Sequence, residues 1–276
     1  MVNSDMHPDQ SNDLAYQRPM GSAGSRHVVF VHGMWSQPWV WDGWVERFSS
    51  AGYRCEAVTL PGHGDGESVA GLGIADYVAA VERRLRQLAA PAVVIGHSMG
   101  GLIAQQLAAR VPVAAAVLIN SAAPAPVFPL RPIMLPGLAR HFARPLLWRG
   151  AFTPSRREAD HLFLHALPAA DRERFHRRLV PESGRAIYQL GFGRLNLAGS
   201  NRVERERIEA PMLALSGGRD HIIPVGVSRA MARWYGPARL EYREFSQHAH
   251  WMLAETGWQQ RVEEVLGWLE SVTPQP

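Results

Sequence analysis

The sequence predicts an α/β protein: a doubly wound, mainly parallel sheet of about six strands, interrupted by an inserted helical subdomain. Three observations predict it. From His27 onward, short β-branched runs alternate with stretches of helical spacing, the pattern of a parallel sheet covered on both faces. The alternation stops between Ala122 and about Glu209, where no convincing strand occurs, and resumes at Met212. The chain has 276 residues, 46% of them hydrophobic and 20% charged, which is enough apolar surface for one large core without a covalent staple.

His27-Val28-Val29-Phe30-Val31 is a short buried strand ending near Gly33. Trp41, Trp44, Val45 and Phe48 follow at helical spacing. Tyr53–Leu60 reads as a second strand, stopped by Pro61-Gly62. Asp76 stands where a helix cap is expected, before the apolar face Tyr77, Val78, Val81, Leu85 and Leu88. Ala92–Gly96 is a third strand, Gly101–Arg110 a helix and Ala115–Asn120 a fourth strand. Pro124, Pro126, Pro129, Pro132 and Pro136 open the interruption, and helical segments follow at Arg156–Ala166, Ala169–Leu179 and Gly184–Leu190. Met212–Ser216 and Leu240–Phe245 are the last two strands, with helices at Val225–Tyr235 and Gly257–Ser271. The expected organisation is a leader over 1–26, a core over 27–123 and 206–276, and a helical insertion over 124–205. Within the leader, Leu14–Arg18 reads as a short edge strand.

Composition excludes several chemistries. Cys55 is the single cysteine, so an internal disulfide and a cysteine-built metal centre are out. All 29 basic residues are Arg, which removes Schiff-base lysine chemistry, pyridoxal phosphate anchoring and a P-loop lysine. No metal and no organic cofactor is expected. The net charge of +4 is uneven: Ala125–Arg205 holds 14 Arg against 6 acidic residues, a local +8 that leaves −4 for the rest. This excess reads either as a solvated helical surface or as attraction for anionic substrates or a membrane surface. No nucleic-acid-reading motif accompanies it, so no nucleic-acid partner is expected. No run reaches the roughly 20 apolar residues of a membrane span, and the polar first 26 residues lack a signal peptide's apolar run, which points to the cytoplasm.

In such sheets, ligands bind beyond the carboxyl ends of the strands, and the chemical motifs fall there. Gly96-His97-Ser98-Met99-Gly100 fits G-x-S-x-G between a strand and a helix, the setting of a nucleophile elbow. The flanking glycines let neighbouring backbone approach, and the helix turns its positive end toward the serine. His32-Gly33-Met34-Trp35 follows the first strand, and the N–H groups of Met34 and Met99 are the expected oxyanion donors. A serine needs a base. After the last strand, Ser246-Gln247-His248-Ala249-His250-Trp251 offers two, His248 and His250. Asp220, after Met212–Ser216, is placed to orient the base. Phe128, Leu130, Met134, Leu135, Leu138 and Trp148 make the start of the insertion apolar, and Phe128, Leu135, Trp35 and Trp251 are the candidate substrate-binding residues.

On these motifs, together with Leu60-Pro61-Gly62-His63-Gly64 and Gly218-Arg219-Asp220, the chain resembles an α/β-hydrolase over about His27–Leu269. Members often carry Gly-His-Trp at the catalytic histidine. Ala249-His250-Trp251 matches with Ala for Gly, and this alignment favours His250 over His248. The order Ser98, Asp220, His250 is the order of the family, and the insert over 124–205 matches the helical cap that families of this fold carry over the site. Two strands that usually open the fold are missing. In that respect, and in Trp39 and Trp41, the chain is similar to the plant methylesterase and hydroxynitrile lyase branch and its bacterial esterase relatives. The lyases of that branch use a lysine, which is absent here. Serine in place of aspartate argues against the dehalogenase and epoxide hydrolase branches. The resemblance implies a cofactor-independent carboxylic ester hydrolase acting on a small to medium apolar ester, with lactone or carbon–carbon bond hydrolysis as the alternative use of the same triad. A non-enzymatic receptor on this fold is disfavoured, because such receptors usually lose a triad member.

Overall fold

The computed structural model describes residues 26–143, 146–192 and 199–273, the side chain of Phe142 excepted. The leader and its expected edge strand therefore lie outside the described residues, apart from Arg26, whose guanidinium donates to the hydroxyl of Thr273 at 2.7 Å.

Eight strands are described, β1 (His27–Val31), β2 (Arg54–Val58), β3 (Val93–His97), β4 (Ala115–Ile119), β5 (Ala151–Phe152), β6 (Glu182–Ser183), β7 (Met212–Gly217) and β8 (Leu240–Phe245). Six form one sheet in the order β2-β1-β3-β4-β7-β8, every pairing parallel. The chain runs outward from β1 to the edge strand β2 and then returns past β1 to β3. The strand order thus reverses between β1 and β3, where open sheets of this kind bind ligands. Helices cover the sheet: α1 (Asp42–Ser50), α2 (Ile74–Arg86), α3 (Met99–Ala108), and, after β4, α4 (Leu135–Phe142), α5 (Arg156–Ala159), α6 (Ala169–Arg177), α7 (Gly184–Phe192), α8 (Val225–Tyr235) and α9 (Trp258–Val272). Val28–Val31, Val93–Ile95 and Ala115–Ile119 are wholly buried, as near-continuous apolar strands between two helical layers must be.

The differences from expectation have local causes. β2 ends at Val58, not Leu60, because the Leu60 N–H donates to His32 Nε2 at 3.2 Å and leaves the ladder. α3 begins at Met99, two residues early. Close approach requires glycine at Gly100: a Cβ there would stand 2.1 Å from the carbonyl oxygen of Val31. Asp76 is not the cap of α2 but its third residue, and its carboxylate accepts from the Gly73 N–H at 2.8 Å. The segment between β4 and β7 is mostly helical, yet β5 and β6 pair antiparallel within it, two residues each. α4, among the closely spaced prolines, also escaped the pattern; Pro136 sits in its first turn, where its missing N–H costs nothing.

Candidate active site

Ser98 joins β3 to α3 with φ 55° and ψ −118°, a conformation costing a non-glycine residue about 1–3 kcal/mol. Surrounding hydrogen bonds hold it there: its N–H donates to Ile119 O at 3.0 Å, and its carbonyl accepts from Gly101 N at 3.0 Å and Ala122 N at 2.9 Å. The glycines of the motif are sterically required. A Cβ at Gly96 would lie 2.1 Å from Gly100 O, and one at Gly33 would lie 2.9 Å from Ser98 Cβ. The turn after β1 is therefore pressed against the serine. Trp35 in that turn also has positive φ, 59°, and its indole N–H donates to Phe152 O at 3.0 Å.

The structure brings His250 and Asp220 together. His250 Nδ1 donates to Asp220 Oδ2 at 2.7 Å, which leaves Nε2 as the basic nitrogen of the neutral ring. The other carboxylate oxygen of Asp220 accepts from the backbone N–H groups of Ile222 and Ile223, each at 2.8 Å. His248 is turned elsewhere: its Nδ1 pairs with Glu255 Oε2 at 3.2 Å, and the same oxygen accepts from Ala249 N at 2.8 Å. Ser98 and His250 line one cavity of about 230 Å³ with Met34, Trp35, Phe163 and Trp251. A second cavity of about 490 Å³ shares Ser98 and Met34 with the first. Its remaining wall is apolar, chiefly Leu130, Met134, Leu138, Ile187, Ile222 and Ile223.

Met99 follows Ser98 directly as the buried first residue of α3. Of the candidate substrate residues, Trp35 and Trp251 line the smaller cavity. Phe128 and Leu135 stand 46% and 55% exposed and line neither cavity at Ser98. Their neighbours Leu130, Met134 and Leu138 take the inward places instead. Apolar type alone did not reveal which side of this segment faces inward. Among the described residues, no Arg of the segment lines either cavity.

Sequence reasoning missed two polar supports. The Asn120 side chain, at φ 43° just past β4, donates to Ala249 O and His250 O, both at 2.9 Å, and accepts from Gly217 N at 2.7 Å. It therefore ties the loop carrying Asp220 to the loop carrying His250. His97, the variable residue before Ser98, donates from Nε2 to His250 O at 2.9 Å. Its pKa lies well below the usual histidine value, first because it is buried and then because His250 is near. His32 is held down to about 3 by burial and by His63. It donates from Nδ1 to Gly33 O at 2.9 Å, while Nε2 accepts from Leu60 N, which fixes its tautomer. An Asn in a left-handed turn at a strand end was the available signal for Asn120. The His97 bond spans 153 positions and leaves no local trace.

The segment between β4 and β7 meets the sheet side through rings and a few buried polar anchors. Phe163 stacks on Trp35 at 5.7 Å and on Trp251 at 5.6 Å, and Phe175 meets Trp39 at 5.3 Å. Glu182, fully buried, accepts from His63 Nε2 at 3.1 Å and from Tyr77 Oη at 2.6 Å. The other ring nitrogen of His63 donates to Pro61 O at 3.1 Å, so both ring nitrogens face acceptors and the imidazolium is favoured. Burial alone would lower the pKa of His63, but Glu182 and these hydrogen bonds raise it above the usual value.

Among the described residues there is no group of three or more His, Cys, Asp or Glu able to hold a metal ion, and no helix long and apolar enough to cross a membrane.

Comparison with known proteins follows the same lines. The chain is 29% identical over 231 residues to a pimeloyl-[acyl-carrier protein] methyl ester esterase of Neisseria meningitidis serogroup B, covering 81% of this chain and 86% of that one. It is 36% identical over 113 residues to a probable esterase of Oryza sativa subsp. indica, covering 37% and 41% of the two chains. Among solved structures, the monoacylglycerol lipase of Paleococcus ferrophilus has the same fold with a TM-score of 0.71 at 22% identity, covering 94% of this chain and 99% of that one. Residues 28–264 match the family model described as the alpha/beta hydrolase family, and the chain belongs to that family.

Proposed function

We propose that the protein is a serine carboxylic ester hydrolase with Ser98 as nucleophile, His250 as general base and Asp220 as the carboxylate that orients it. The observation that carries this reading is the 2.7 Å pairing of His250 Nδ1 with Asp220, with His250 and the strained Ser98 on one cavity wall. Relatives named as esterases support the reaction class.

The reaction has two steps. His250 Nε2 takes the Ser98 proton as Oγ attacks the ester carbonyl. The oxyanion is held by the N–H groups of Met34 and Met99, each such donor being worth about 10²–10³-fold in turnover. His250 then protonates the leaving alcohol. Water, deprotonated by the same ring, attacks the acyl-enzyme and releases the acid. Asp220 keeps the proton on Nδ1 and stabilises the imidazolium. The apolar cavity beside Ser98 takes the acyl part, since among the described residues its wall offers almost no polar partner beyond the serine. The segment 124–205 acts as the cap that supplies the far side of this wall.

The test is a panel of nitrophenyl esters from acetate to decanoate, with lactones alongside. Expected is a kcat/KM optimum at an intermediate acyl length and a loss of about a millionfold in kcat on Ser98→Ala. Turnover of lactones alone, or an active Ser98→Ala protein, would overturn the reading.

A further inference from the structure

Among the described residues, the large apolar side chains that stand exposed are Phe128, Ile133, Leu135, Leu146 and Trp148, at 41–55% exposure, and all fall within positions 128–148. Single exposed apolar residues are ordinary, whereas the gathering of all five in one stretch of chain sets that stretch apart. This stretch also has a one-sided charge. No Asp or Glu occurs between Glu82 and Glu158, while Arg131, Arg140 and Arg149 lie at or beside the exposed apolar positions. Arg140 is paired with Glu158 at 2.6 Å. Arg131 instead turns onto the carbonyls of Phe128 and Leu130, at 2.7 and 2.8 Å, and so stays beside the apolar residues with its charge uncompensated by a carboxylate among the described residues.

We propose that the described residues within 128–143 and 146–149 form a docking face for an anionic lipid surface. The occupant follows from two features. Apolar side chains interleaved with arginines suit a bilayer's boundary layer, where the apolar groups enter the acyl region and the guanidinium groups meet lipid phosphates. Trp148 beside Arg149, after Leu146 and Leu147, has the amphipathic character that favours headgroup depth. The face is also coupled to the cavity at Ser98. Along the same stretch Leu130, Met134 and Leu138 point into that cavity, while Phe128, Ile133 and Leu135 point out. A lipid surface against the outer side chains lies one layer of residues from the acyl site. The substrate class this assigns is a single-chain apolar ester drawn from a lipid surface. That assignment rests on the hydrolase reading, whereas the docking face does not.

The test is vesicle sedimentation of the full chain carrying Ser98→Ala, which prevents turnover of the lipid. Vesicles of phosphatidylcholine alone are compared with vesicles that also contain phosphatidylglycerol, at low and high salt. Expected is association with the anionic vesicles only, weakened by salt. Arg131→Gln and Arg149→Gln should each weaken it about fivefold, and Ile133→Ser with Trp148→Ser about tenfold or more. The same surface changes in the Ser98 protein should leave nitrophenyl acetate hydrolysis unchanged, which separates lost docking from lost folding. Absence of binding to anionic vesicles, or binding indifferent to these substitutions, overturns the proposal. So does a wild-type dimer that Trp148→Ser converts to monomer, since a second copy would then cover the face. If nitrophenyl acetate hydrolysis survives Ser98→Ala while vesicle binding behaves as expected, the reaction assignment fails and the docking face stands.

Discussion

On the sheet side of the cavity, Ser98, Asp220 and His250 stand on loops whose backbones are fixed by buried hydrogen bonds and by glycines with no room for a side chain. On the opposite side, Leu130, Met134 and Leu138 belong to a segment that meets the sheet through ring contacts and a few anchors such as Glu182. The first arrangement tolerates almost no displacement, because catalysis needs reacting groups held within fractions of an ångström. The second tolerates repacking, since apolar contacts are non-directional and volume-conserving changes are cheap. On the proposed function, the contrast separates two tasks: the sheet side would carry the chemistry and the segment would shape what enters. Substitutions can break this contrast or sharpen it.

The largest effect is expected on the rigid side. Gly100→Ala forces a Cβ to within 2.1 Å of Val31 O, so hydrolysis of every ester in the panel should be lost together with several kcal/mol of stability. Chemical denaturation and turnover on the purified protein check this. A variant of normal stability and activity would mean that the elbow is not held as described.

Next is Asn120→Ala. It leaves a buried N–H and two buried carbonyls without the partners seen here, at about 1–3 kcal/mol for each group left unsatisfied. Turnover should fall about 100-fold, with little change in acyl-length preference, because the Asp220 and His250 loops lose their shared tie. A shift in length preference at full kcat would contradict the division of tasks.

On the segment side, Glu182→Gln should cost about 3 kcal/mol near pH 6, the penalty for breaking a buried pair. The His63 pKa is raised in the fold, so the pair's contribution is full below the unfolded histidine value of about 6.5 and is lost as pH rises through the higher folded value. The stability gap between wild type and variant should therefore narrow at alkaline pH. His32 and His97, both lowered by burial, act in the opposite direction. Each stays neutral in the fold while the unfolded chain takes up a proton, so each removes about 1.4 kcal/mol per pH unit as pH falls below about 6.5. Denaturation midpoints across pH, for wild type and Glu182→Gln, read both slopes.

The smallest effect is expected at His248. Its partner is Glu255, so His248→Ala should keep turnover within about threefold and lower the thermal midpoint by a few degrees. A loss as deep as that of Ser98→Ala would move the base from His250 to His248.

The same contrast decides what could be read from the sequence. β1, β3, β4 and β7 were legible as short apolar runs closed by a turn residue, β2 and β8 as mixed runs that continue the strand–helix alternation, and the elbow because its glycines are needed locally. Asp220 was legible as a position just past a strand end, while His250 shared such a position with His248 and was singled out only by the family resemblance at Ala249-His250-Trp251. Asn120 and His97 were not, since their value lies in bonds to carbonyls more than 120 positions away. The inward and outward sides of 128–138 were not legible either, because both sides are apolar and only packing tells Leu138 from Leu135. β5 and β6, two residues each, are too short to carry a period.

The claim that the sheet side carries the chemistry is tested most directly by covalent trapping. A fluorophosphonate should add once per chain, on the peptide carrying Ser98, and His250→Ala should slow that addition by several orders of magnitude. Addition at another residue, or labelling of Ser98 at an undiminished rate in His250→Ala, would contradict the account.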